Sequence, residues 1–368
     1  MADFKELDEN GEEQKRVETE LIKCPSCGAN MVFDPESQML YCSHCGTKQS
    51  FANDLKAKEI DLLSGFNSER QWSEDETSVF RCDNCGAKVV LSKGETAKTC
   101  PFCGTAHVQK TDELAGIKPN GLLPFKFGAE EAKDKAKAWA KKRLFAPKKF
   151  KRNISTENVK GVYTPCFTFD SRTTSTYSGR IGTYHTRTVG SGKNRRVETY
   201  IVWRNISGQY FHLFDDILIT AGSKFNQKQL DKISPYSTGE SCSYQENFLL
   251  GFMAYHYDKE ITDCWNEAKS MIDDVLRKRI LNQYTYDVVG YLNVSTKHEG
   301  VTYKYVMLPV YIGNFNYNKK LYNFFINGTN GKTEGKTPVS PWKVLFTVLL
   351  GLVVVGAIAA AVYFIGKS

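Results

Sequence analysis

CPSCGANMVFDPESQMLYCSHCG, residues 24–46, returns in form as CDNCGAKVVLSKGETAKTCPFCG, residues 82–104: a CxxC pair, fourteen residues, a second CxxC pair. That spacing lets two short knuckles, one at the base of a hairpin and one in the loop facing it, aim four thiolates at one tetrahedral ion. The candidate ligands are Cys24, Cys27, Cys42 and Cys45 in the first copy and Cys82, Cys85, Cys100 and Cys103 in the second. Gly28, Gly46, Gly86 and Gly104 each follow a pair, where a left-handed backbone lets the chain turn around the sulfurs. The expected cofactors are two structural Zn2+ ions. A rubredoxin-like iron site is the alternative, and disulfides are disfavoured in a reduced cytoplasm. His44 and His107 lie beside the ligands, but complete four-cysteine sets leave them no vacancy. A filled tetrahedral site has no open position for substrate, so the metals are expected to hold structure. A ribbon of about 25 residues buries too little apolar surface to fold alone, and the ion supplies the missing folding free energy.

Working outward, the chain reads as multidomain: an acidic flexible tail (1–20), zinc ribbon 1 (21–50), a partly helical linker (51–77), zinc ribbon 2 (78–110), an α+β region (118–330), a linker (331–343) and a transmembrane helix (344–365). The α+β region is expected to combine antiparallel sheets with two long amphipathic helices. The first helix spans Gly128 to Leu144, with Glu130 and Glu131 in its first turn, an Ala132, Ala136, Trp139, Ala140 stripe, and Lys141, Lys142 and Arg143 at its end. The second spans Asp258 to about Asn282, with Ile261, Trp265, Ala268, Ile272, Val275, Leu276 and Ile280 on one face. Residues 160–220 alternate as strands, with hairpins expected near Gly179 and around Gly190–Asn194; strands return over 286–328, closed by a turn at Asn327–Gly328. Cys166 and Cys264 fall in apolar patterns and read as buried thiols.

VLFTVLLGLVVVGAIAAAVYFI, residues 344–365, carries no charge. Twenty-two helical residues at about 1.5 Å each cover roughly 33 Å, enough to cross a hydrocarbon core of about 30 Å. Trp342 and Lys343 at one end and Tyr363 and Lys367 at the other suit the headgroup layers. The start of the chain has no signal-peptide core, and Lys332, Lys336 and Lys343 precede the helix. The expectation is therefore a single-pass C-terminal anchor in the cell membrane with the bulk of the chain cytoplasmic.

Residues 1–116 hold 13 Lys and Arg against 21 Asp and Glu, while the remainder holds 36 against 20. Acidic ribbons are poor ligands for phosphates, so nucleic acid is an unlikely partner. The basic segment Lys133–Arg152 suits anionic lipid headgroups, an acidic partner or plain solvent. Gly331, Lys332 and Thr333 mimic the end of a phosphate loop, but Ile326 stands where the first glycine belongs. No HExxH or serine-elbow motif occurs, so no enzyme is expected.

The ribbons together with GVYTPCFTFD (161–170), FDDILI (214–219), FLLGFMAYHYD (248–258) and KYVMLPVYIGNFNYNKKLYNFFINGTNGKTEGKTP (304–338) give a resemblance over nearly the whole chain. It resembles bacterial membrane-anchored double zinc-ribbon proteins of the transcription-factor-B type, some mislabelled primosomal helicase-like, and among them the YdjG-type subgroup with a single anchor. The resemblance implies a role in envelope stress and partners such as SPFH (flotillin-like) or phage-shock-type proteins. It implies no catalytic residues. The expected function is a non-enzymatic, tail-anchored adaptor whose ribbons recruit proteins at the cytoplasmic face of the bilayer; the alternative is a membrane-tethered nucleic-acid binder.

Overall fold

The computed structural model of the chain describes residues 22–51, 55–65, 77–92, 99–106, 108–111, 117–153 and 159–365. The tail 1–20, the acidic stretch 74–76, His107 and Lys367 lie outside the described residues. In the first ribbon, β1 (Met31–Asp34), β2 (Met39–Cys42) and β3 (Lys48–Gln49) form a three-stranded antiparallel sheet. Alternation turns Met31, Phe33 and Leu40 inward. In the second ribbon, β4 (Thr77–Cys82) lies between β5 (Lys88–Ser92) and β6 (Val108–Thr111).

Three strands of exceptional length organise the rest: β7 (Lys160–Val189, 30 residues), β8 (Arg196–Thr220, 25 residues) and β9 (Val288–Tyr317, 30 residues), against a usual strand of about 5–6. β7 is central, antiparallel to both others. Its first third, Val162–Phe169, and the matching stretch Tyr305–Ile312 of β9 are buried on both faces, in keeping with their largely apolar character, and the buried Thr164 hydroxyl donates to the Leu308 carbonyl at 3.2 Å. Phe167, Phe169, Tyr305 and Tyr311 point into one core with α1 (Ala129–Lys141), while Val162, Cys166, Val306 and Leu308 point into another with Phe225, Leu230 and Ile233. β10 (Lys320–Asn327) extends the sheet beyond β9.

The second ribbon, read from sequence as a module of its own, is an edge of this sheet. β5 pairs with the short strand Met253–Tyr255, which runs parallel to β7 at Val162 and Tyr163. Among the described residues of the linker between the ribbons, Ile60–Asp61 pairs with β9 and Leu62–Gly65 form a helical turn. Ile60 is extended there because it gains a strand partner at Tyr303.

Beyond Asp170 the three long strands leave the body as an arm. No hairpin forms at Gly179, which pairs straight through with Ile206 and Leu292. Its missing side chain serves close approach instead, since a Cβ there would lie 2.7 Å from the Tyr291 carbonyl oxygen and 3.0 Å from Leu292 Cδ1. The chain reverses only at 190–195, where Gly190 takes φ +90° and a Cβ would meet the Asn194 carbonyl oxygen at 2.3 Å. The helix α2 (Ile261–Leu281) covers one face of the arm, seating Ile272 and Leu276 beside Phe214 and Ile280 beside Tyr177, Ile181 and Ile206. β9 ends its pairing with β7 at Gly182, so residues 183–202 continue as a two-stranded tip. Arg172–Val189 alone spans about 60 Å at roughly 3.3 Å per residue. Last comes α3 (Pro341–Ile365), long and apolar enough to cross a membrane, with none of its most apolar window buried against the protein.

Candidate metal centres

All four knuckles close the same way. The amide of the glycine after each pair donates to the carbonyl of the first cysteine: Gly28 to Cys24 at 2.9 Å, Gly46 to Cys42 at 2.9 Å, Gly86 to Cys82 at 2.8 Å and Gly104 to Cys100 at 2.9 Å. Each glycine takes a φ between +71° and +77°, so a side chain would strain every turn. The amide of the first cysteine donates in turn to the residue two beyond the pair, as Cys24 does to Ala29 at 2.8 Å and Cys100 to Thr105 at 2.8 Å.

These turns bring the eight predicted cysteines into two groups, each with its four sulfurs within 4.8 Å of one another. Cys24 Sγ lies 3.4 Å from Cys45 Sγ, and Cys27 Sγ 3.5 Å from Cys42 Sγ; the matching distances in the second group are 3.6 Å (Cys82 to Cys103) and 3.7 Å (Cys85 to Cys100). A disulfide needs about 2.05 Å, whereas a tetrahedron with metal–sulfur bonds of about 2.3 Å has edges of about 3.8 Å. Each cluster could therefore hold one metal ion, and four soft donors in that arrangement suit zinc.

The thiols themselves are unequally disposed to ionise. In the second group, burial pushes Cys85 up to about 11 and Cys100 higher. Cys103, though burial opposes it, is held down at about 7 by the Thr105 amide and the Asn84 side chain. A cation is what would bring four such groups into the thiolate form together.

The surroundings of the two groups differ. Cys27 and Cys45 are exposed, at the outer corner of the first ribbon, with Cys45 Sγ 3.1 Å from Thr47 Oγ1. That ribbon docks through its other side: Phe33 stacks edge-on against Phe248 at 5.0 Å, the Phe33 amide donates to the Leu250 carbonyl at 3.0 Å, and Gln38 Nε2 donates to the Phe125 carbonyl at 2.7 Å. In the second group none of the four is exposed, and Lys160 at the head of β7 donates to Thr99 beside it. His44 is exposed beside the first group and belongs to neither set.

Sequence reading missed a third cluster. Asp170, Asp215 and Asp216 gather where β8 breaks register between Phe214 and Ile217, with Asp216 at φ +52°. Lys304, nearly buried in β9, fills it: its Nζ lies 2.7 Å from Asp216 Oδ1 and 3.5 Å from Glu59 Oε1. Burial and the neighbouring Glu59 raise Asp170 to about 6 against the Asp216 amide that it accepts. The cluster is an ion-pair network, open to solvent at Asp215 and Glu59, that ties the inter-ribbon linker to the central strands. The phosphate-loop mimic is a turn: Gly331 donates to the Asn327 carbonyl at 2.8 Å and Lys332 Nζ to the Ser234 carbonyl at 2.6 Å, with a strand after them at Thr333–Gly335.

The chain is similar to "Uncharacterized protein YdjG" of Bacillus subtilis (strain 168), 30% identical over 328 residues that cover 88% of this chain and 91% of that protein. No protein-family profile matches the chain, and no solved structure does.

Proposed function

Starting from a chain that belongs to the YdjG family, we propose a non-enzymatic adaptor, held in the cell membrane by α3 with its body on the cytoplasmic side, built on two structural zinc ions, and recruiting a protein partner through the arm. The observation that carries this reading is the outer edge of β8. Among the described residues no strand pairs with it, although β8 runs for 25 residues. Val197, Tyr200, Val202, Trp203, Phe211 and Leu213 are all exposed along it. Proteins normally shorten, charge or cover such an edge, and an extended apolar one is a template for a further strand. The partner segment has a definable chemistry. Residues 171–213 hold seven Lys and Arg against one Glu, with Arg180 over the Trp203 ring at 5.2 Å and Arg187 over Tyr200 at 5.6 Å, so an acidic strand with alternating apolar residues is the complement.

In this proposal the capture role, expected of the ribbons from the sequence, passes to the arm. The second is embedded in the large sheet and serves the fold; the outer corner of the first remains a secondary contact. Within the segment 133–152, Lys133, Lys135 and Lys137 already pair with Glu130, Glu131 and Asp134, which confines its open basic surface to 141–152. Closed four-sulfur sites favour a structural over a catalytic use of the metal.

Proximity labelling from the tip of the arm in cells tests the proposal, comparing the wild type with Val197→Lys/Val202→Lys/Phe211→Lys and with Cys27→Ser/Cys45→Ser. Loss of one defined set of membrane neighbours in the lysine variant is the expected result. An unchanged set there, with loss in the cysteine variant, returns the capture role to the ribbon; RNA-bound or chromosomal neighbours would favour nucleic acid.

A further inference from the structure

The loop after α1 exposes what a soluble protein would bury. Leu144 is 77% exposed and Phe145 42%, and next to them on α3 Trp342 is 77% and Phe346 69% exposed. Leu144, Phe145, Trp342, Lys343 and Phe346 line one cleft. The loop is fastened there by its backbone: the Ser340 amide donates to the Phe145 carbonyl at 2.8 Å, and Lys343 Nζ donates to the carbonyls of Ala146 at 2.6 Å and Leu144 at 3.2 Å. Lys343, which the sequence places at the headgroup layer, thus also holds this loop against the first turn of α3. On the inward side the same segment is anchored by Ala146 and Phe150, both buried, with Phe150 edge-on to Phe315 at 5.2 Å.

The chain on either side of the exposed pair is basic, and of its cations Arg143 is paired, with Glu334 at 2.9 Å. Residues 141–152 contain seven Lys and Arg and no Asp or Glu, and Lys141, Lys142, Lys148 and Lys149 are exposed on either side of the loop. An apolar tip collared by cations and fixed beside the start of a membrane-length helix matches the interfacial zone of a bilayer, where aromatic and aliphatic groups enter below the headgroups and ammonium groups meet phosphates. Continuity with α3 and the charge of the collar both point to the same occupant.

We propose that Leu144 and Phe145 form a second membrane contact, a prong entering the interface of an anionic bilayer beside α3, with Lys141, Lys142, Lys148 and Lys149 on lipid phosphates. It rests on the reading of α3 as the anchor. One helix alone leaves the body free to swing; a second, rigidly attached contact fixes its tilt and hence the direction in which the arm points.

The test uses the full chain reconstituted in vesicles of phosphatidylglycerol and phosphatidylcholine, with the photocrosslinking residue p-benzoylphenylalanine placed in turn at Phe145, at Leu349 in α3 and at Phe211 on the arm. Lipid adducts at 145 and 349 and none at 211 are expected, with the adduct at 145 falling several-fold in Lys141→Gln/Lys142→Gln/Lys148→Gln/Lys149→Gln or when phosphatidylglycerol is omitted. Adducts at 349 without adducts at 145 would overturn the prong and leave the anchor standing. Absence of adducts at both would remove the anchor and the prong together, and an adduct at 145 indifferent to the lysines and to the lipid charge would overturn the headgroup collar.

Discussion

Asn314 Nδ2 donates to the Pro101 carbonyl at 3.3 Å, so the knuckle bearing Cys100 and Cys103 is bound to the far end of β9, more than two hundred residues away in the chain. The fit is tight from the other side too, since a Cβ on Gly104 would lie 2.8 Å from Asn314 Oδ1. The second metal centre and the central sheet therefore support each other.

Asn314→Leu should loosen that centre alone. It leaves the Pro101 carbonyl without this donor, at a cost of about 1–3 kcal/mol for a buried group. With a chromogenic chelator, one of the two metal equivalents should be lost faster than in the wild type and the other at an unchanged rate.

Removing a ligand should affect the two centres unequally. Cys42→Ser and Cys100→Ser should each reduce bound zinc from two equivalents to one by elemental analysis, because a four-sulfur site rarely survives with three donors. The Cys100 variant should also lower the melting temperature of the body, since β4, β5 and β6 belong to the large sheet; the Cys42 variant, whose ribbon reaches the body core through Phe33, should lower it less.

Asp170 gives a pH dependence with a defined sign. Burial first, then Glu59, raises it from the ordinary 3.8 to about 6, so the folded protein holds this proton more tightly than the unfolded chain. Its contribution to stability grows as pH falls through about 6 toward 3.8 and is lost on the alkaline side. Asp170→Asn keeps an acceptor for the Asp216 amide and supplies a permanent donor toward Glu59. Denaturant unfolding should show the variant gaining on the wild type most above pH 6, with the difference shrinking below it.

Gly179→Ala should weaken the arm. Its Cβ would press on the Tyr291 carbonyl at 2.7 Å, and backbone cannot yield cheaply, so a loss of about 1–3 kcal/mol is expected. Limited proteolysis should cut the arm sooner while the melting of the metal centres stays in place.

Much of this protein is written locally. CxxCG closes into a knuckle by hydrogen bonds within six residues, and the spacing of two knuckles decides that four sulfurs meet, so Cys24 to Cys103 were legible from composition and spacing. An uncharged run at 344–365 must likewise be a membrane-length helix or a buried one, since nothing else hides its backbone from lipid or its side chains from water. Cross-strand partners are another matter. Gly179 looks like a turn because glycine tolerates turns, but it also permits close approach, and only Tyr291 and Leu292 on a distant strand choose between the two. The joining of the second ribbon to β7, the burial of Lys304 against Asp216 and the fastening of Phe145 to Ser340 are all contacts between remote segments. Their free energy exists only once the register of the long strands is set, so tertiary structure alone decided which surfaces were buried and which edge and which loop were left exposed.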